Sequence, residues 1–429
     1  MIEPGSPDKG PAAPPALVKE HRAAPRRRNL WQLFREEFWA ANTFMVTFLA
    51  VVLALVAGAI IMIIADPETR ATWSYFFARP GDALQASWGL VSEAYANLFK
   101  GAIADPDQWN RWFWNMAPWQ QALYPISETL QYAAPLALTG LSFAVAFRAG
   151  LFSIGAQGQA TMGSIAGALA GFLISAPGWL HVPVALLCGL LGGMLWGFLP
   201  GWLKAKTGAH EVITTIMLNY IAFHFLTWIV IQKGIQDPSR SDAISSKVDE
   251  TARLPLLFDP SLRANLGIVL ALLATAFVGW MLKRSTFGFE LRAVGANPDA
   301  ARTAGMSVAA TIILVMTLAG GLAGLGGATM VLGTAYALTP SVVGTIGFDG
   351  ILVALLGRAR PWGVLAAALL FGALQAGGNR MQSFSGISLE LVGVIQALIA
   401  IFVAAPALVK AIVRLRESRT GGAAELAKG

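Results

Sequence analysis

The stretch FGFELRAVGANPDAARTAG, residues 287–305, holds four charged side chains between two apolar runs at 264–282 and 307–333. Each run has about the 20 residues that a helix needs to cross the hydrocarbon of a membrane. A polar segment this short between two such runs predicts a tight loop that joins two membrane-spanning helices on one side of the membrane.

The composition of the whole chain fits this arrangement. Of 429 residues, 55% are hydrophobic and 13% are charged, and the mean hydropathy is +0.59. There are too few polar side chains to cover a soluble globule of this size. Hydrocarbon offers no partner for backbone polar groups, so only helices or closed barrels span it, and near-continuous apolar runs favour helices. The sequence predicts an all-α membrane protein, a polytopic helical bundle.

The apolar runs predict about ten transmembrane helices. They lie near residues 40–65, 129–147, 151–175, 181–203, 211–232, 264–282, 307–333, 341–357, 362–379 and 388–414. Alternate connections are basic, among them those with Arg148, Lys204 and Arg292, whereas the short connections between them hold little Lys or Arg. Because basic loops stay on the cytoplasmic side, both termini are expected to be cytoplasmic.

The same pattern divides the chain into regions. We expect a disordered basic cytoplasmic tail, a transmembrane domain with two long outer segments and one cytoplasmic loop, and a second cytoplasmic tail; these are residues 1–38, 39–415 (outer segments 66–128 and 233–263, loop 283–306) and 416–429. The first outer segment contains six tryptophans. Indole rings settle at membrane interfaces, so amphipathic helices lying on the outer surface are predicted there.

Polar side chains within the apolar runs are candidates for a substrate path. Gln157 and Gln159 stand about one turn into a span, where an unpaired amide is costly, so each is expected to face a cavity or another helix. Asp349 is an ionisable group inside a predicted span. The candidate path residues are Gln157, Gln159, Thr214, Thr215, Asn219 and Asp349.

Asn297-Pro298 within the opening stretch predicts the start of a short cytoplasmic helix. Asparagine caps the first backbone N–H groups, proline is favoured at the first helical position, and Asp299 adds an acid to the first turn. Gly305 is expected to end the helix. Ala300, Ala301 and Ala304 are expected to give it a smooth face that enters a groove on a partner.

Several stretches together resemble the permeases of ABC importers of the branched-chain amino acid, ribose and nucleoside branch. They are SFAVAFRAGLFSIGAQG (142–158), GAHEVITTIMLNYIA (208–222), residues 292–305 and GFDGILVALLG (347–357). The second is especially similar to nucleoside permeases, and Asp299-Ala300-Ala301 with Gly305 resembles the "EAA then glycine" loop that couples such permeases to an ATPase. The loop residues assigned to coupling are Arg292, Asn297, Asp299, Ala300, Ala301 and Gly305.

The resemblance implies a multi-pass protein of the bacterial plasma (inner) membrane that translocates a nucleoside or related neutral solute. It further implies cytoplasmic ATPase subunits, a second permease subunit, identical or paralogous, and an extracytoplasmic solute-binding protein. ATP and Mg²⁺ would be used by the partner, because no lysine follows a glycine in this chain and so no GxxxxGK[ST] phosphate loop exists.

Other functions fit the sequence less well. A ribose-like sugar is an alternative substrate, and an ion-coupled secondary transporter is an alternative class, although such proteins usually carry several carboxylates within the membrane. An enzyme is disfavoured because His210-Glu211 is followed by Thr214 rather than a second histidine, and the only cysteine is Cys188. No metal site is expected, and no nucleic acid partner, because basic residues are scattered over loop ends.

Overall fold

The structure, a computed structural model, describes residues 43–404. The predicted tails at 1–38 and 416–429 lie outside the described residues. In the described part every regular element is a helix, and extended pairing is limited to two isolated β-bridges. The all-α prediction is therefore confirmed for that part.

Fifteen α-helices are numbered here in chain order within the described residues. They are α1 (Thr43–Ala65), α2 (Pro67–Trp73), α3 (Pro80–Ala102), α4 (Pro106–Phe113), α5 (Trp119–Arg148), α6 (Ala156–Leu173), α7 (Gly178–Thr207), α8 (Glu211–Val230), α9 (Gly267–Arg284), α10 (Thr286–Ala296), α11 (Pro298–Thr303), α12 (Val308–Met330), α13 (Ile346–Leu356), α14 (Pro361–Ser385) and α15 (Glu390–Ala404). A π-helix, Val331–Ala335, continues α12, and a 3₁₀ turn covers Glu250–Ala252.

Seven of the described helices are long and apolar enough to cross a membrane: α1, α5, α7, α8, α9, α12 with its π-helical extension, and α14. Helices also form in the other three predicted spans. The span predicted at 388–414 extends beyond the described residues, and the other two helices differ from full spans. α6 carries polar and glycine residues, and α13 has 11 residues, a length of about 16 Å against a hydrocarbon thickness of roughly 30 Å. The figure of about ten spans and the cytoplasmic termini stay predictions.

Glycines bring α6, α7 and α12 into close contact. A Cβ atom on Gly193 or Gly197 of α7 would overlap the backbone of α12, and one on Gly324 would overlap the backbone of α7. On the other side of α12, Gly327 lies against the Ala160 carbonyl of α6. Lipid gives helices no hydrophobic drive to associate, so small residues that allow close approach are the main packing device. Glycines therefore set the close packing of these three helices.

The two long segments predicted to lie outside are ordered against the bundle. In the first, α3 buries a stripe of small residues and packs against α14 through Gly101 and Gly377, while Trp88 is exposed. In the second, the backbone of Ser245 and Val248 bonds to that of Leu338 and Tyr336, just after the π-helix. The second segment therefore covers the end of α12 rather than extending into solvent.

Candidate functional site

A cavity of about 750 Å³ lies between the start of α6, one face of α8 and the non-helical segment that leads into α13. It is lined by Ile154, Gln157, Thr161, Ile216, Asn219, Tyr220, Phe223, Leu226, Pro340, Ser341, Val343, Gly344, Thr345 and Phe348. Its volume lies in the range of about 300–1,000 Å³ that is typical of small-molecule sites. Apolar walls with a few converging polar groups are the usual composition of such sites.

Gln157 fixes the beginning of α6 to the beginning of α13. Its Nε2 donates to the Gly344 carbonyl at 2.7 Å, and its Oε1 accepts from the Gly347 N–H at 2.9 Å. Gly347 permits this contact because a Cβ atom there would overlap the backbone of Gln157. The amide predicted to face a cavity or another helix therefore does both, since it bonds to a neighbouring segment and lines the cavity.

Asn219 plays the same part between α8 and the turn before α6. Its Oδ1 accepts from the Gly158 N–H at 2.8 Å, and its Nδ2 donates to the Ile154 carbonyl at 2.9 Å. The side chain is 9% exposed, so both bonds are largely shielded from competing water. The first turn of α6 would otherwise leave N–H groups unpaired, and Asn219 satisfies one of them from another helix.

The third wall is a break in the helical path between α12 and α13. The π-helix Val331–Ala335 ends at Tyr336, whose φ of 56° is left-handed, and the chain then runs without regular structure to Thr345. Gly344 has a φ of 51°, which glycine adopts at little cost, and this conformation presents its carbonyl to Gln157. Non-helical backbone at membrane depth is tolerated where it is buried in protein or lines a cavity, and transporters build substrate sites from it.

The structure does not bring all six candidate path residues to this cavity. Gln157 and Asn219 line it, whereas Gln159 is 1% exposed and both polar atoms of its amide are buried without a partner among the described residues. Thr214 and Thr215 bond to carbonyls of their own helix, including that of Glu211. Asp349 stands in the first turn of α13 and accepts from the Thr345 hydroxyl at 2.8 Å.

Aromatic residues on the cavity wall were missed by the sequence reasoning. Tyr220 and Phe223 stand on α8 near Asn219, and Phe348 of α13 lines the same cavity. Their spacing gave a usable signal, because positions 219, 220 and 223 lie on one face of a helix. Within a uniformly apolar span that signal is hard to distinguish from lipid-facing residues.

The loop at 283–306, called the coupling segment below, contains the predicted short helix, which is α11. Asn297 Oδ1 accepts from the N–H groups of Asp299 and Ala300, both at 3.0 Å, and Pro298 occupies the first helical position. At the other end Gly305 has a φ of 83°, and the Met306 N–H bonds to the Ala301 carbonyl at 3.0 Å. Both predicted ends of the helix are therefore present.

The exposed face of α11 differs from the predicted one. Ala300 and Ala304 are exposed, but Ala301 is 3% exposed and packs inward, so it anchors the helix rather than extending its outer face. Asp299 pairs with Arg302 at 3.0 Å on the exposed side. Arg292 lies on the preceding helix α10, where its Nε donates to the Gly288 carbonyl at 3.0 Å.

No group of three or more His, Cys, Asp or Glu side chains within residues 43–404 has an arrangement that would hold a metal ion. The polar groups around the cavity are amides, hydroxyls and backbone carbonyls. An arrangement of this kind binds a neutral polar molecule by hydrogen bonds and apolar contact.

Several known proteins are similar in sequence to this chain. Residues 126–404 match the family described as "Branched-chain amino acid transport system / permease component". A guanosine ABC transporter permease protein of Bacillus subtilis is 36% identical over 365 residues, which cover 84% of this chain and 92% of that protein. A nucleoside ABC transporter permease protein of Lactococcus lactis subsp. cremoris is 43% identical over 292 residues, 65% of this chain and 79% of that protein. A glucose ABC transporter permease protein of Haloferax volcanii is 32% identical over 291 residues, 65% of this chain and 76% of that protein.

Proposed function

This chain belongs to the family of permease components of branched-chain amino acid transport systems, and we propose that it forms the membrane conduit of an ATP-driven importer of nucleosides. As a permease subunit of an ABC transporter it is a multi-pass membrane protein and not itself an enzyme. The cavity beside Gln157 and Asn219 is the proposed point of contact with the solute. The names of the guanosine and nucleoside relatives support that substrate class.

The chemistry of the cavity is the main support for a nucleoside. A nucleoside combines a flat base with a neutral sugar that carries hydroxyl groups, and the cavity combines both types of complementary surface. Tyr220, Phe223 and Phe348 offer aromatic area against which a base can pack. Ser341 and Thr345 add hydroxyl groups near the carbonyl-rich break. None of the lining residues, all of which are described, is charged. The cavity therefore suits a neutral ligand.

The energy source in this proposal is a separate ATPase that docks at α11. A short helix with both ends capped is a rigid body, so a push on its exposed face is transmitted to the flanking α10 and α12 rather than lost in bending. Ala300 and Ala304 provide a smooth contact, and Asp299 and Arg302 provide charges at its edge. A second permease subunit would cover the exposed side of α8, and a binding protein would deliver the solute from outside the plasma membrane.

Reconstitution into proteoliposomes tests the function. With its ATPase, second permease and binding protein, the transporter is expected to take up radiolabelled guanosine only when ATP is present, and unlabelled nucleosides should compete better than ribose or glucose. Better competition by the sugars would favour the sugar alternative. Uptake by this chain alone, driven by an ion gradient, would contradict an ATP-driven importer.

Gly305→Pro tests the proposed docking of the ATPase at the coupling segment separately from the path of the solute. Proline cannot adopt the φ of 83° found at this position, so the end of α11 must rearrange. ATP hydrolysis without uptake is expected. Gly386→Pro is the matched control, because Gly386 ends α14 with a φ of 66° and, like Gly305, has open space around its Cβ position. Equal loss of coupling in both variants would count against docking at α11.

A further inference from the structure

A second cavity, of about 690 Å³, concentrates positive charge where four helices meet. It lies between the ends of α5 and α9, the helix α10 and the start of α14. Five of its lining residues are basic, and none of the lining residues, all of which belong to the described chain, is acidic: the basic ones are Arg148, Lys283, Arg284, Arg292 and Arg360. Like charges this close repel one another, so the cluster favours an anion among them.

No carboxylate of residues 43–404 forms an ion pair with the basic side chains of this cavity. Arg148 is held in place by a bond from its Nε to the Ala359 carbonyl at 3.0 Å, and such a bond to a neutral acceptor leaves its charge uncompensated. Among ion pairs between residues 43–404, none involves Lys283, Arg284 or Arg360. Within the described residues the lining of the cavity thus keeps a net positive charge, which an anionic ligand would balance.

The start of α14 adds to this positive potential. Arg360 is its N-cap residue but makes no side-chain capping bond, Pro361 follows at the first helical position, and the first turn holds no acid. Trp362 and Gly363 line the cavity at the next two positions, where backbone N–H groups have no partner within the helix. An uncapped helix N-terminus inside a basic cavity is suited to bind a phosphate group.

The surroundings of the cavity distinguish a lipid phosphate from a phosphate in solution. α5, α9 and α14 are all long and apolar enough to span a membrane, and α5 and α9 end where α14 begins, so the cavity lies at the level of a membrane surface. Trp280 and Trp362 flank the charges and are 56% and 58% exposed. Indole rings favour the headgroup region, and Ala276 with Gly279 leaves a small-residue surface along α9 for an acyl chain.

We propose that this basic cavity binds the headgroup of an anionic phospholipid. The phosphate lies among Arg284, Arg360 and the N–H groups of Trp362 and Gly363, and the acyl chains follow the outer surface of α9. Basic cavities between membrane helices near the surface are a recognised mode of binding for anionic headgroups. The bound lipid would also hold the end of α9 against the start of α14, next to α10, the helix that precedes α11.

Native mass spectrometry of the purified full chain tests this proposal. The protein is equilibrated in detergent with equal amounts of phosphatidylglycerol and phosphatidylcholine, and the lipids that stay bound are counted. The wild-type chain is expected to retain phosphatidylglycerol in about tenfold preference, and the double variant Arg284→Gln/Arg360→Gln should lose that preference. Lys283→Gln alone, a milder change at an exposed position, should lower the preference partially.

The control variant is Lys233→Gln/Lys247→Gln, which removes the same charge from exposed positions remote in sequence from the cavity and should keep the wild-type preference. Equal phosphatidylglycerol preference in the wild type and the Arg284/Arg360 variant would overturn the proposal. So would full displacement of the lipid by sodium phosphate or glycerol phosphate, because the site would then bind a free phosphate. The Arg284/Arg360 variant could instead lose co-purification of the ATPase while it keeps the preference for phosphatidylglycerol. That result would assign the cavity to protein docking and would also overturn the proposal.

Discussion

The cavity beside Gln157 and Asn219 and the coupling segment around α11 are both proposed contact sites. Bonds between residues close in the sequence form the second, whereas bonds between residues far apart in the sequence form the first. In α11 the side chains bond to groups two to four residues away, as Asn297 does with Asp299 and Ala300. Around the cavity, Asn219 bonds to groups 61 and 65 residues away, and Gln157 to groups 187 and 190 residues away. A change in the coupling segment should therefore act on a partner with little loss of stability, whereas a change at the cavity should affect stability and transport together.

The largest effect is expected from Gly347→Ala at the cavity. The new Cβ atom would overlap the backbone of Gln157 and force α13 away from α6, which breaks both bonds of the Gln157 amide. We expect a loss of about 3 kcal/mol in the free energy of unfolding and no measurable uptake. Chemical denaturation in detergent and proteoliposome uptake measure the two quantities. Gly393→Ala, where the added Cβ has open space, is the control and should behave as wild type.

Asn219→Ala should have the next largest effect. It leaves the Gly158 N–H and the Ile154 carbonyl without their partner at a position that is mostly buried, at a cost of about 2 kcal/mol. Uptake should fall with stability, because the same residue lines the cavity. Thr214→Ala is the matched control on the same helix, since the Thr214 hydroxyl donates to the carbonyls of His210 and Glu211, about one turn earlier in the chain. An equal loss of stability and uptake in both variants would contradict the role of Asn219 at the cavity.

Asn297→Ala moves the test to the coupling segment. Loss of the cap should destabilise α11 locally by about 1 kcal/mol without changing the unfolding of the whole bundle. We expect uptake per ATP hydrolysed to fall while denaturation midpoints stay at the wild-type value. Ser307→Ala removes the side-chain cap of the neighbouring α12, a single bond of 3.4 Å, and should leave the coupling ratio unchanged. A shift of the global midpoint by Asn297→Ala would contradict the local character of this segment.

The smallest effect on stability is expected from Asp299→Ala. Its ion pair with Arg302, at 3.0 Å, lies on an exposed surface, where such pairs contribute less than about 0.5 kcal/mol. Any loss of ATPase stimulation in this variant therefore reports on docking and not on folding. Glu250→Ala removes a similar exposed pair, with Arg253, in the segment between α8 and α9 and serves as the control. Unchanged ATPase coupling in both variants would remove Asp299 from the docking surface.

Two of the six candidate path residues, Gln157 and Asn219, line the cavity, and hydrogen bonding explains why the sequence singled them out. Gln157 and Asn219 stood out because an amide in an apolar run must find a partner, and both do so beside the cavity. Thr214 and Thr215 were predicted as hydroxyl groups of the same path, but both donate to the Glu211 carbonyl within α8. A residue that bonds to its own helix and one that bonds to a distant segment look alike in the sequence.

Local rules determined much of this protein. Apolar runs without alternation require helices in lipid, and Asn297, Pro298 and Gly305 set the ends of α11 through contacts within a few residues. The sequence could not show that Ala301 faces inward, that the path is broken after the π-helix Val331–Ala335, or that the five basic residues of the second cavity meet at the start of α14. These features depend on how helices far apart in the chain pack together, and close packing through glycine is decided by the shapes of both partners, which only the tertiary structure contains.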